Sequence, residues 1–144
     1  MSNSKRVSLS NKREMKVALY CRVAREDNTA IEGQAHIIRE YAKKHGYDNP
    51  VLYSDNGVSG IGFDRPALGC LSADILAGHI KAVIVKDLSR LSRNPLEISD
   101  WINGIRRCGV LFISVQDGIT DDHFDKKDEM FRMYSEYLEK LKNK

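Results

Sequence analysis

The chain has 144 residues, 42% apolar and 30% charged, with 10 Gly, 3 Pro and a net charge of +3, the composition of one soluble globular domain. Such a length buries about two thirds of its unfolded surface without disulfide staples. The longest apolar runs, Val83 to Val85 and Val110 to Ile113, fall far short of the roughly 20 residues of a bilayer span, so membrane and secreted classes are disfavoured.

In chain order, Lys5, Arg6, Lys12, Arg13 and Lys16 against Glu14 give residues 1–16 a charge of +4, and residues 1–15 read as a basic flexible tail. From Lys16 onward, apolar runs of strand length alternate with segments of helical period, the mark of an α/β domain with a mainly parallel sheet. Val17 to Val23 reads as the first strand. Thr29, with Glu32 three residues on, offers a capping box to a helix whose stripe is Ile31, Ala35, Ile38 and Ala42 and which ends at Gly46. Val51 to Ser54 is a second strand, and Asp55 to Gly62 is too Gly-rich to be regular. Asp64 and Pro66 open a helix with Leu68, Leu71 and Ile75 on one face and Gly78 at its end.

Ala82 to Val85, apolar on both faces, reads as a central parallel strand. After the segment Lys86 to Arg93, Asn94-Pro95 supplies an N-cap and N1 proline to a helix bearing Ile98, Trp101, Ile102 and Ile105. Val110 to Val115 is a fourth strand. From about Asp125, Phe131, Tyr134, Leu138 and Leu141 form a coiled-coil-like seam, which either folds back on its own sheet or pairs with another subunit. The expected organisation is a tail at 1–15, an α/β domain of four to five strands at 16–122 and a C-terminal helix at 123–144, with no DNA-binding domain.

In a parallel α/β sheet the ligand site lies outside the carboxyl ends of the strands. That edge receives Arg22 after the first strand, Arg65 after the Gly-rich loop, and Arg90 with Arg93 after the third. Guanidinium is always charged and binds phosphate oxygens with a planar fork, so the set suits a phosphate. The alternative is that these arginines only pair with Asp55, Asp64, Asp87 or Asp117. No Walker or Rossmann fingerprint accompanies Gly57 to Gly62, so nucleotide binding is a weaker reading. His36, His45, His79 and His123 have no triad partner in register and read as surface residues. Asp117, Asp121, Asp122 and Asp125 lack calcium-loop spacing and read as a solvated loop. Cys21, Cys70 and Cys108 are odd in number and sit in apolar stretches, which predicts buried reduced thiols in a cytoplasmic protein, without zinc. No cofactor or metal is implied.

Leu19-Tyr20-Cys21-Arg22-Val23-Ala24-Arg25-Glu26-Asp27, Ile31-Glu32-Gly33-Gln34, Asp55-Asn56-Gly57-Val58-Ser59-Gly60, Phe63-Asp64-Arg65-Pro66 and Val85-Lys86-Asp87-Leu88-Ser89-Arg90-Leu91-Ser92-Arg93-Asn94 together resemble the catalytic domain of the serine recombinases, the resolvase/invertase family. The likeness is greatest to the large transposon and conjugative-element branch. The resemblance implies a three-layer resolvase-like fold and site-specific DNA recombination, in which a serine attacks a phosphodiester to form a 5′-phosphoserine link while arginines stabilise the transition state. It implies transition-state and phosphate-binding roles for Arg22, Arg65, Arg90 and Arg93, and supporting roles for Gln34 and Ser89. DNA is the implied partner, bound weakly and with steep salt dependence in the absence of a DNA-binding domain, and a homodimer or synaptic tetramer is implied for the full-length protein.

The family's nucleophilic serine falls on Ala24, which has no nucleophile. Ser89 and Ser92 lie in the arginine segment, yet neither has the in-line placement that the first strand gives the family's serine. The expectation is a chain that does not cleave DNA. It is either the catalytic module of a recombinase, altered at one position and truncated, or a natural non-catalytic module that regulates or pairs with an active relative. Residues 128–144 do not resemble the family's long helix, which in the family leads on to a DNA-binding domain.

Overall fold

A computed structural model describes residues 15–58, 65–122 and 136–142. Five strands, β1 (Lys16–Val23), β2 (Val51–Asn56), β3 (Ile80–Val85), β4 (Leu111–Ser114) and β5 (Ile119–Thr120), form one sheet in the order β2-β1-β3-β4-β5. The first four are parallel and β5 is antiparallel to β4. Helices α1 (Asn28–Lys44), α2 (Pro66–Leu76) and α3 (Pro95–Arg107) connect them, and residues 136–142 form a helical turn pair, α4. This is the three-layer α/β architecture expected from the alternation of strand and helix periods.

The central strands are buried on both faces, and alternate residues serve opposite layers. Val17, Leu19, Cys21 and Val23 of β1 join Ala82, Ile84 and Ile113 beneath the α1 stripe of Ile31, Ala35, Ile38 and Ala42. Ala18 and Tyr20 join Val83, Val85 and Phe112 against Leu68, Leu71 and Ile75 of α2 and Ile98, Ile102 and Ile105 of α3. Leu138 of α4 is buried in that second cluster, so the described part of the C-terminal helix folds back on its own sheet. Phe131 and Tyr134 of the proposed seam lie outside the described residues, as do residues 1–14 of the tail.

Several boundaries differ from the sequence reading. The helix α1 is capped by Asp27, not Thr29: Asp27 is extended and its carboxylate accepts from Ala30 N–H at 3.0 Å, while its own N–H donates to Asn56 Oδ1 at 2.8 Å. Strand β2 runs on through Asp55 and Asn56, which pair with Arg22 and Val23, so the irregular loop starts two residues later. Asn94 caps α3 as expected, accepting from Leu96 N–H at 2.9 Å. The acidic segment is not a solvated loop. Asp121 is 4% exposed, holds Arg106 in a two-pronged ion pair at 2.6 and 2.9 Å and accepts from Phe112 N–H at 3.0 Å. Asp122 accepts from Tyr41 and Tyr47, and Asp125 lies outside the described residues.

Of the three cysteines only Cys21 is buried; Cys70 on α2 and Cys108 at the end of α3 are exposed, because each falls on the outward side of its helix rather than on the apolar stripe. Burial raises the Cys21 thiol to about 11, with Arg39 and Arg90 acting against it. A thiol reagent is therefore expected to label two cysteines in the native chain and the third only after unfolding; fast labelling of all three would contradict the packing beneath α1.

Among the described residues, five tyrosines donate to aspartates: Tyr20 to Asp55 (2.7 Å), Tyr41 and Tyr47 to Asp122 (2.9 and 3.0 Å), Tyr53 to Asp74 (2.5 Å) and Tyr137 to Asp117 (3.1 Å). Burial first, then the neighbouring carboxylates, raise all five phenols, Tyr137 to about 12. A phenol that holds its proton more tightly when folded contributes stability that is complete below the unfolded value of about 10 and is lost as pH climbs above it. Stability is thus expected to fall above about pH 10, with phenolate absorbance appearing as the chain unfolds. Ionisation of all five near pH 10 in a still-folded chain would contradict these bonds.

Candidate active site

Arg22 lies on the Tyr20 side of the sheet, near the carboxyl end of β1. The β1–β3 ladder ends at Tyr20 opposite Val85, which places the N–H and C=O of Arg22 beyond the last rung. Gln34, buried on the inward stripe of α1, answers both. Its Oε1 accepts from Arg22 N–H at 3.1 Å and its Nε2 donates to Arg22 C=O at 2.9 Å, satisfying backbone groups that would otherwise be costly to bury. On the β2 side, Val23 C=O accepts from the N–H groups of Gly57 and Val58, both at 2.9 Å. Gly57 has φ +86°, and a Cβ there would stand 3.3 Å from Glu26 N, so the approach of this loop to the turn after β1 requires glycine.

The Arg22 residue is 5% exposed, and its guanidinium clasps carbonyls from two loops. Nε donates to Arg90 C=O (2.9 Å), Nη1 to Val58 C=O (3.0 Å) and Nη2 to Ser89 C=O (2.6 Å). Arg90 returns a bond from Nη1 to Arg22 C=O at 3.1 Å. Leu88–Arg90 is a single 3-10 turn. Asp87 caps it, accepting from Ser89 N–H at 3.0 Å and from the Ser89 hydroxyl, and lies 3.4 Å from Arg90 Nε. Asp117 accepts from Leu88 N–H at 2.8 Å.

Arg65 precedes Pro66 at the start of α2 and is 4% exposed. The first-turn amides of that helix are held by Asp55, which accepts from Ala67 N–H (2.8 Å), Leu68 N–H (3.1 Å) and the Tyr20 hydroxyl (2.7 Å). A carboxylate at a helix N-terminus is also favoured by the helix dipole. Arg93, three residues past Arg90, is exposed. Burial lowers the proton affinity of Arg22; Tyr20 works against this, and the charges of Arg65, Arg90 and Arg93 lower it further. The guanidinium remains charged, so Arg22 sits under the repulsion of the other three arginines. That is the electrostatic condition an incoming anion relieves.

The structure thus brings Arg22, Arg65, Arg90, Arg93, Gln34 and Ser89 to one edge of the sheet. Of the proposed acidic partners, Asp87 pairs with Arg90, Asp55 and Asp117 are bonded to amides and hydroxyls, and Asp64 lies outside the described residues. Ala24 sits exposed in the bend between β1 and α1, two residues beyond Arg22. Among the described residues the nearby serine hydroxyls are committed: Ser89 donates to Asp87, and buried Ser92 donates to Glu97 Oε1 at 2.8 Å while accepting from Asn94 N–H at 2.9 Å. His36, His45 and His79 are exposed, and His123 lies outside the described residues; among the described residues no group of side chains able to hold a metal ion is found. Sequence reasoning gave no role to Tyr20, for which its period-2 placement on the Arg22 face was the available signal; it offered Asp117 as an arginine partner or a loop acid, whereas Asp117 is bonded to Leu88 N–H and to the Ser114 and Tyr137 hydroxyls.

The model of the resolvase N-terminal domain family matches residues 17–142. A protein of Bacillus subtilis (strain 168) whose curated name proposes a DNA recombinase is 34% identical, over 88% of this chain and 28% of its own length. The chain therefore spans little more than a quarter of that relative. The N-terminal catalytic domain of TP901-1 integrase is similar at 27% identity and a TM-score of 0.71, covering 88% of this chain and 98% of that one. A resolvase family site-specific recombinase from Streptococcus pneumoniae is similar at 26% identity and a TM-score of 0.65, covering 89% and 91%.

Replacing Gln34 with Leu keeps bulk on the α1 stripe but leaves the Arg22 N–H unanswered, at a cost of about 1–3 kcal/mol. Urea denaturation is expected to show that loss; a variant within about 0.5 kcal/mol of the parent would mean that water or another group answers Arg22.

Proposed function

Because the chain belongs to the resolvase N-terminal domain family of serine recombinases, we propose that its arginine edge binds the scissile phosphodiester of a DNA recombination site and that Ala24 leaves this chain without the attacking group. The observation that carries the reading is the convergence of Arg65, Arg90 and Arg93 on Arg22, which feels the charge of each at the carboxyl edge of β1, β2 and β3. In the reaction the resemblance implies, a hydroxyl at position 24 attacks phosphorus and the 3′-oxygen of the DNA leaves. The arginines meet the charge that develops on the phosphoryl oxygens, the kind of preorganised stabilisation that lowers such barriers most.

The roles divide by exposure. Arg93 reaches solvent and makes first contact with the backbone of the duplex. Arg90, partly exposed, approaches the phosphate while its Nη1 remains on Arg22 C=O. Arg22 and Arg65 act from below the surface, Arg22 chiefly by holding the loop that carries Arg90. Ala24 also favours a second reading, in which the module keeps the fold and the anion site and acts on an active recombinase by pairing or competition. In that reading the domain works as part of a dimer or tetramer.

Duplex binding tests the phosphate assignment. Anisotropy with a labelled random-sequence duplex between about 50 and 200 mM salt is expected to show weak binding that falls linearly in log salt. Arg93→Ala should weaken it and reduce the slope by about one. Salt-independent binding, or an Arg93→Ala variant with unchanged affinity and slope, would overturn the assignment. Stabilisation by a free nucleotide but not by duplex would replace it with a small-molecule site.

A further inference from the structure

The 3-10 turn that carries Ser89 and Arg90 is held on its far side by Asp117, and Asp117 is shared. Its Oδ2 accepts from Leu88 N–H at 2.8 Å and from the Ser114 hydroxyl at 2.6 Å, and its Oδ1 accepts from the Tyr137 hydroxyl at 3.1 Å. One carboxylate therefore joins three elements: the first amide of the arginine turn, the end of β4 and the helix α4. A cleft of about 430 Å³ opens between the turn and α4, lined by Ser89, Ser92, Arg93, Asp117, Tyr137 and Leu141. The Arg93 side chain and the C-terminal helix thus face a common space rather than a packed interface. Among the described residues, the helix is held by Leu138 in the core, by Leu141 and Tyr137 packed beside it and by this one hydroxyl.

We propose that Asp117 and Tyr137 are positioning residues that couple the seating of the C-terminal helix to the geometry of the arginine turn. When α4 is seated, Tyr137 fixes one oxygen of Asp117, and the other oxygen holds Leu88 N–H and with it the carbonyls of Ser89 and Arg90 against the Arg22 guanidinium. When α4 moves off, Asp117 loses its only described anchor on that side and can rotate toward water in the cleft, which loosens the turn from its amide end. The bond suits such a link because the phenol is held protonated, raised to about 12 by burial and by the carboxylates of Asp117 and Asp87, so it donates throughout the physiological range. A charge-assisted hydrogen bond is also stronger than a neutral one, so its loss is felt at the partner. This coupling rests on the phosphate-binding reading for its functional meaning, but not for its existence.

The test separates the two. Tyr137→Phe removes one hydroxyl and keeps the ring beside the core, and Leu138→Ala unseats α4 by a different route. Amide hydrogen exchange is read over residues 86–93 relative to β1 in the same sample, so that any global loss of stability cancels. Both variants are expected to raise that ratio, Tyr137→Phe by about tenfold for a bond of this class. A ratio unchanged in either variant, or β1 exchanging as much faster as the turn, overturns the coupling whatever the duplex data show. Duplex affinity of Tyr137→Phe is measured alongside and is expected to fall severalfold. A raised exchange ratio with unchanged duplex affinity upholds the coupling and overturns the role of the turn in phosphate binding.

Discussion

A guanidinium can be buried only where its N–H groups are hydrogen-bonded, and Arg22 meets that condition with the backbone of two loops rather than with a carboxylate. Its bonds to Val58, Ser89 and Arg90 carbonyls draw the segments after β2 and β3 over the end of β1. Everything else at the edge follows from that clasp: Gln34 completes the backbone of Arg22 where β3 departs, Gly57 permits the β2 loop to approach, and Asp87 and Asp117 hold the turn from the amide side. Lysine could not replace it, because a point charge on a flexible stem lacks the fork that spans three acceptors.

The choice of carbonyls over carboxylates has an electrostatic result. A carbonyl satisfies hydrogen bonds without neutralising charge, so Arg22 stays positive where the charges of Arg65, Arg90 and Arg93 also reach it. The two acids nearest the site are largely spent on other work: Asp55 on the first turn of α2 and the Tyr20 hydroxyl, Asp87 on the 3-10 turn. Asp87 reaches Arg90, and at 3.4 Å with both side chains partly exposed such a pair contributes little. An anion at this edge would meet guanidinium donors from several loops in one place, which suits the phosphodiester proposed for it.

Much of this is legible in the sequence alone. The apolar runs placed β1, β3 and β4 because buried parallel strands have no alternative pattern, and Asn94-Pro95 placed the start of α3 because few residues suit those two positions. The four arginines were legible because loops at one sheet edge converge whatever their sequence. Other features were settled by tertiary context. Asp27 displaced Thr29 as a cap because its N–H has a partner in Asn56, a residue 29 positions away. Cys70 and Cys108 lie in apolar-looking stretches yet on the wrong face of their helices. Asp121 reads as a loop acid until Arg106 and Phe112 N–H are seen to need it. Ala24 is the reverse case, since its sequence neighbours gave it meaning and its surroundings only show that it is exposed and that, among the described residues, the nearby Ser89 and Ser92 hydroxyls are bonded elsewhere.

The central claim is that this edge lacks a nucleophile and nothing else. It is tested most directly by comparing the parent chain with Ala24→Ser on a labelled random-sequence duplex library, with covalent adducts trapped by denaturant and separated on a gel. The account predicts a denaturant-resistant adduct through a DNA 5′-phosphate with Ala24→Ser and none with the parent. An adduct formed by the parent chain would contradict it by revealing another nucleophile, and its absence from both would contradict it by showing that more than one oxygen atom is missing.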